Sequence, residues 1–486
     1  MEYSLLYAND VELSPEARWL LLQWSKLAGL KNAIASPRLE LYRQLGMTHQ
    51  HARAALDELK KKGIVIEEKV RQRRGRPISR LHISLDFRTH LKSVETVLPH
   101  PHRPEIESLL EHCIAARVPR AGHSQNLMTG KERTKKMAPA TYWLLSILLA
   151  HARTPGVATG LGLKQLVALT GMKIERLRAQ LAKLKKLEII SRSVPGASRD
   201  RGTRCIQSVY IFNLDHPILM GEKSLALTAF LVPEGSLSGQ NFISGALKAA
   251  ALKGRLVKYQ NQVTERIEGA FSQSDKKHSS LKPRLQSQGP SPFLRAIADY
   301  HQRTHSLVPL LQLTESQAEN LITLSKLGID SSLHAHLLAY AMTLLSNHWN
   351  EVANGHDRFR PPIRPVISAI EQDCSSLLST GACSRSLSSD FYTSLYQLAL
   401  HIAKELQLHL RKIDRDSTFD FSKAALLINP FSQGRATRWA IKVHFRNPED
   451  VPHVLSRPRI CRIPSVNLSL PAALNALPSE ITHELN

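Results

Sequence analysis

Cysteine is scarce in this chain, and no two cysteines are close in sequence. Five occur in 486 residues (Cys113, Cys205, Cys374, Cys383 and Cys461), with no C-x-x-C pair. That excludes a zinc ribbon and a disulfide framework. Acidic residues are few, 41 against 65 Lys and Arg, so the formal charge is +24. No apolar run is long enough to span a bilayer. The N-terminus, MEYSLLYANDVELSPEARW, carries acid where a signal peptide requires base, so a cytoplasmic chain without a membrane segment is expected. No G-x-x-x-x-G-K-[ST] loop or other cofactor fingerprint occurs, which removes the usual motor ATPases. Metal-ligand patterns are equally thin. His301 and His305 have no third partner, His334 and His336 fall on different faces of a helix, and His100 and His102 sit in what reads as linker. Asp414, Asp416 and Asp420 with Lys423 read as a polar loop ending a helix rather than a nuclease cluster. No catalytic residue, metal or cofactor is therefore expected, and the chain reads as a non-enzyme.

What is present is length, apolar content and unevenly placed charge. The length implies three or four folding units, and 42% hydrophobic residues supply real cores. Residues 1–215 carry 36 basic and 19 acidic side chains, a net +17, whereas residues 216–486 carry 29 and 22, a net +7. A basic half joined to a nearly balanced half points to a polyanion-binding module with something attached.

The basic half contains a repeat. A shift of 125 positions lays LGMTHQHARAALDELKKKGIV (45–65) over TGMKIERLRAQLAKLKKLEII (170–190) without a gap, matching Gly46 to Gly171, Met47 to Met172, Arg53 to Arg178 and Leu56 to Leu181. The same register pairs Leu20 with Leu145, Leu41 with Leu166, Arg74 with Arg199, Arg76 with Arg201 and Phe87 with Phe212. In the first copy, apolar spacing predicts a helix over 15–28 opened by Pro15 and a short helix over 37–45 ended by Gly46. A third helix, capped by Thr48 and stopped by Gly63, buries Ala52, Ala55, Leu56 and Leu59. The period then changes, and IVIEEKV and SRLHISLDF read as strands joined by RQRRGRPI. The second copy predicts helices at 139–152, 163–170 and 173–187 and strands near 189–194 and 205–213.

Three helices followed by a hairpin, twice, resemble the winged helix-turn-helix superfamily, in the style of MarR- and GntR-type regulators and of plasmid and phage replication-initiator domains. The resemblance covers about residues 14–88 and 139–213 and implies double-stranded DNA as partner. A recognition helix of this kind offers its first turns to base edges in the major groove. In the first copy those turns hold Thr48, His49, Gln50, His51 and Arg53; in the second, Lys173, Glu175, Arg176 and Arg178. Gln50 suits adenine and Arg53 guanine. Glu175 suits either cytosine or an ion pair with Arg178. Arg71, Arg73, Arg74, Arg76 and Arg80 crowd the first hairpin loop, and Arg199, Arg201 and Arg204 the second. Arg74-Gly75-Arg76-Pro77 is similar to an AT-hook core, which enters narrow minor grooves. Lys60–Lys62 and Lys183, Lys185 and Lys186 serve phosphates or the helix C-terminus. Tyr42 reads as a packing residue.

The expected fold is therefore mainly α with small β-hairpins: two winged helix-turn-helix domains (1–90 and 137–215), a 91–136 linker with one short helix, and a helical C-terminal domain. After a loop, a long amphipathic helix is expected at 245–271, a disordered linker at 272–292, a helical bundle at 293–428 and an irregular tail at 429–486 with one strand at 438–445. Segments 245–271 and 293–428 are where self-association or a protein partner is expected. Three roles fit: a nucleoid-associated transcriptional regulator reading two half-sites, a replication initiator or accessory protein of a plasmid or integrated element, and a DNA-bridging architectural or segregation protein.

Overall fold

The computed structural model describes residues 2–8, 12–70, 78–94, 102–115, 137–196, 206–214, 216–220, 228–232, 330–354, 361–378, 385–413, 420–433, 436–445 and 460–462. These are mainly helical with a few small sheets, and they divide into two compact units.

The first unit contains both copies of the repeat. Ser14 caps α1 (Pro15–Ala28), its side chain accepting from the Ala17 N–H, with Pro15 in the first helical position where no N–H is needed. A two-residue strand, β1 (Ile34–Ala35), leads to α2 (Arg38–Gln44) and, through Gly46, to α3 (His49–Lys61). Strands β2 (Val65–Val70) and β3 (Ile78–Ile83) complete an antiparallel sheet of order β1-β3-β2. Ala52, Ala55, Leu56 and Leu59 of α3 are buried at 1% exposure or less, and they form the stripe that closes on α1.

The chain does not then continue as a strand to Phe87. Ser84 accepts from the Phe87 N–H and opens a helix, α4 (Leu85–Ser93). The short helix expected within residues 91–136 is present. Within them α5 (Arg103–Ala115) buries Ile106, Leu109, Leu110 and Cys113 at helical spacing against the rest of the unit. His102 is fully buried, its Nε2 accepting the Gly156 N–H at 2.9 Å.

The second copy runs α6 (Pro139–Ala150), β4 (Val157–Ala158), α7 (Leu163–Thr170), α8 (Ile174–Lys186), β5 (Ile190–Val194) and β6 (Val209–Phe212), with sheet order β4-β6-β5. The 125-residue register holds from α2 and α3 to α7 and α8 and into the next strand. It fails in the hairpin. Ser84 donates to the Ile64 carbonyl, and the residue in its place in the second copy is Asn213, which donates to Ile189; the two are 129 positions apart. The stretch between these bonded residues is thus four residues longer in the second copy, and Phe87 and Phe212 are not equivalent positions. Phe87 is helical, Phe212 a strand residue.

A short helix, α9 (Pro217–Met220), follows in this unit and packs on α5 where a loop is expected. Another part of that expected loop, β7 (Thr228–Val232), is a strand of the second unit. There α10 (Asp330–Asn347), α11 (Trp349–Asn354), α12 (Arg364–Leu378) and α13 (Arg385–Ile413) pack with a four-stranded sheet, β10-β7-β9-β8. Its remaining strands are β8 (Ala424–Gln433), β9 (Ala436–Phe445) and β10 (Ile460–Arg462). The helical bundle expected at 293–428 is therefore α plus β, and the tail from 429 begins inside a hairpin rather than in irregular chain. The Ser346 hydroxyl receives the Leu426 N–H at 2.9 Å, joining α10 to β8. The helix expected at 245–271, the linker at 272–292 and residues 293–329 of the expected bundle lie outside the described residues. Among those described, no helix is long and apolar enough to cross a membrane.

Candidate nucleic-acid interface

The first turns of α3 and α8 are the surfaces the sequence singles out, and local chemistry sets what each can offer. Thr48 is committed to the helix. Its Oγ1 accepts the His51 N–H and lies 3.0 Å from His51 Nδ1, so both side chains belong to the cap. His49 sets its ring edge-on to Tyr42 at 5.4 Å, and Tyr42 is buried. Gln50 and Arg53 are exposed on the outer face, and Arg53 Nε lies 3.8 Å from Asp57. On α8, Lys173, Glu175, Arg176 and Arg178 are all exposed. Arg176 points sideways rather than outward and forms an ion pair with Glu16 of α1. The outward positions of the two helices are then Gln50 and Arg53 on one, Lys173, Glu175 and Arg178 on the other.

Arg80 is not in the hairpin loop. The register of β2 with β3 starts at Val70↔Ile78, so only residues 71–77 connect the strands. Arg80 sits in β3, exposed and opposite Glu68. Arg71, Arg73, Arg74, Arg76, Arg199, Arg201 and Arg204 lie outside the described residues.

The hairpin is held to the helices by a charge cluster that sequence reasoning missed. Glu67 of β2 takes Lys60 from α3 and Arg38 from α2, the latter at 3.1 Å. These cations, with a hydrogen bond from Ser79, hold its carboxyl down at about 2. Lys60 is therefore a strut to the hairpin, and Lys62 pairs with Glu12 at 3.6 Å. A Lys at the end of a helix followed by an alternating Glu-Glu strand was the available signal, but only the sheet register shows which Glu faces it.

The two copies also share a seam. Arg18, 4% exposed, donates to the carbonyls of Ala8 and Leu13 in the first copy and of Leu169, at 3.0 Å, at the end of α7 in the second. A guanidinium there meets the negative end of the α7 dipole. Trp19 stacks on Tyr142 at 5.3 Å, and the His112 Nδ1 lies 2.9 Å from the Tyr142 hydroxyl. Burial pushes the His112 pKa down. The Tyr7 hydroxyl donates to the Ala150 carbonyl at 2.7 Å, and burial pushes its pKa up to about 12. Every residue of α6 is largely or fully buried, because α1, α5, α7 and α8 enclose it.

Elsewhere, the second unit buries His336, Tyr340 and Asp373 together, the Tyr340 hydroxyl donating to Asp373 Oδ2 at 3.1 Å. Among the described residues no three His, Cys, Asp or Glu side chains are grouped to hold a metal.

Comparison with protein-family models, curated proteins and solved structures finds no match to this chain.

Proposed function

We propose that the first unit is a pair of winged helix-turn-helix domains that bind double-stranded DNA, and that the protein is a transcriptional regulator reading two unlike half-sites. The reading rests above all on one observation: a three-helix-plus-sheet element occurs twice, and each copy turns the polar first turn of its third helix outward. Support also comes from the net +17 of residues 1–215. An α-helix fits the major groove, where Gln50 suits adenine, and Arg53 and Arg178 suit guanine. The hairpin arginines, Arg74 and Arg76 above all, suit a narrow minor groove beside it.

A second reading, an initiator of plasmid or mobile-element replication, draws on the separate α plus β unit, which goes beyond what a simple operator reader needs. A genome-wide map of bound DNA decides between them. The regulator reading expects sites over promoters, with transcription changing on deletion. Repeats at an origin, with loss of copy number on deletion, would transfer the assignment to initiation. At residue level, Gln50→Ala is expected to relax base preference at one position, a discrimination worth about 1–3 kcal/mol. Arg74→Ala with Arg76→Ala is expected to weaken AT-rich sites more than mixed ones. Unchanged binding in both variants would remove the groove assignment.

A further inference from the structure

The two copies are not beads on a tether, and this fixes what the DNA must look like. We infer that the first unit is one rigid reading head, which accepts two half-sites only at a single separation of about one duplex turn. The inference rests on the DNA-binding reading for its ligand and on the seam between the copies for its geometry.

Several contacts hold that seam together. Arg18 joins carbonyls of both copies from a buried position. Trp19 and Tyr142 stack across it. Gly171, at the joint between α7 and α8, lies so close to Leu13 that an added Cβ would stand 2.1 Å from the Leu13 carbonyl oxygen. The N-terminal turn of α1 then touches both third helices. Ser14 N–H donates to Glu58 of α3 at 2.8 Å, and Glu16 holds Arg176 of α8. A buried polar network with close backbone approach has one arrangement rather than many.

The same contacts bound the span. Residues 14 and 16 are two apart in sequence, about 7 Å at most, and the Glu58 and Arg176 side chains bring the backbone separation of α3 and α8 to about 30 Å at most. Continuing along each helix at about 1.5 Å per residue places Arg53 and Arg178 within about 40 Å of each other. Successive major grooves on one face of B-DNA recur about every 34 Å, so this bound admits neighbouring grooves and excludes a groove two turns away. Glu16 is a positioning residue in this arrangement, acting on the second half-site through Arg176.

The test is selection of sites by the full-length chain from a randomised duplex library, followed by insertions between the two motifs found. The expected outcome is two unlike motifs at one separation, with a one- or two-base-pair insertion lowering affinity about tenfold or more. Glu16→Gln is expected to degrade base preference in one motif and leave the other intact. Motifs at many separations, or insertions tolerated within about threefold, would overturn the rigid head while leaving DNA binding standing. No salt-sensitive enrichment of any duplex would instead remove the DNA reading. The geometry is then tested without DNA, by pulsed electron resonance between spin labels carried as non-natural residues at positions 53 and 178 of the full chain. One narrow distance upholds the rigid head, and a broad distribution contradicts it.

Discussion

Gly46 and Gly171 occupy matching positions in the repeat and serve the same two purposes. Both have positive φ, 62° and 69°, which side chains rarely adopt. Both also lie against backbone: a Cβ at Gly46 would stand 2.8 Å from the Cys113 carbonyl, and one at Gly171 would stand 2.1 Å from Leu13. Gly63 has φ 70° but open space around it, and its counterpart 125 positions on is Glu188, which keeps the left-handed conformation at φ 58° without being glycine. Four substitutions follow with graded outcomes in the unfolding of the first unit. Gly63→Ala is expected to cost about 1 kcal/mol, the conformational term alone. Gly46→Ala and Gly171→Ala are expected to cost about 3 kcal/mol or more, because backbone must move as well. Glu188→Gly is expected to stabilise by about 0.5–1 kcal/mol. Residue-resolved hydrogen exchange on the full chain reads all four. Equal costs at Gly63 and Gly171 would show that the close approach carries no weight.

The elements are held in place by charge as well as by packing, and that gives the first unit a characteristic acid response. Glu67 is held at about 2, below its ordinary 4.5, by Lys60, Ser79 and Arg38. Its contribution is therefore present above pH 4.5 and lost as pH falls toward 2. His112 is pushed below its ordinary 6.5 by burial, so its neutral form is favoured in the fold. That contribution is present above pH 6.5 and fades below it. Stability of the first unit is expected to fall in two stages on acidification. Glu67→Gln should remove the lower stage and loosen the hairpin, at a cost of only about 0.5–1 kcal/mol because Glu67 is partly solvated. Hydrogen exchange of β2 against pH measures it, and an unchanged profile in Glu67→Gln would disprove the strut.

Elements whose signals are local were legible in the sequence. Thr48, Gly46, Gly63 and Pro15 mark the helix boundaries directly, and the α3 stripe is the buried one. Elements decided by partners far along the chain were not. β8 includes Pro430, which argues against a strand, and it exists because β9 and α10 flank it. The start of α4 turns on Ser84 accepting from the Phe87 N–H, in a segment whose alternation imitates a strand. At α5 the short helix itself was readable, but its closing over α6 was not, because that depends on packing between separate elements. Of the candidate interface, the exposed helix faces were readable, but the partner of Arg176 was not, since Glu16 lies 160 residues away.

At the scale of the whole molecule, two units carry different charge and different architecture. The first is strongly basic and built around α6, a helix enclosed on all sides, which turns two similar elements into one body. The second mixes helices with a four-stranded sheet in a nearly balanced part of the chain. On the DNA-binding reading proposed above, the partner is the phosphate backbone, and such binding would release counterions. The decisive measurement is the affinity of the full-length chain for duplex DNA as salt is raised, alone and with Gln50→Ala and Arg178→Ala combined. The account predicts a fall of about three to five decades between about 50 and 200 mM salt. It further predicts that the double variant keeps most of that slope but loses preference for its selected site. Affinity that is absent, or that ignores salt and both substitutions, would contradict it.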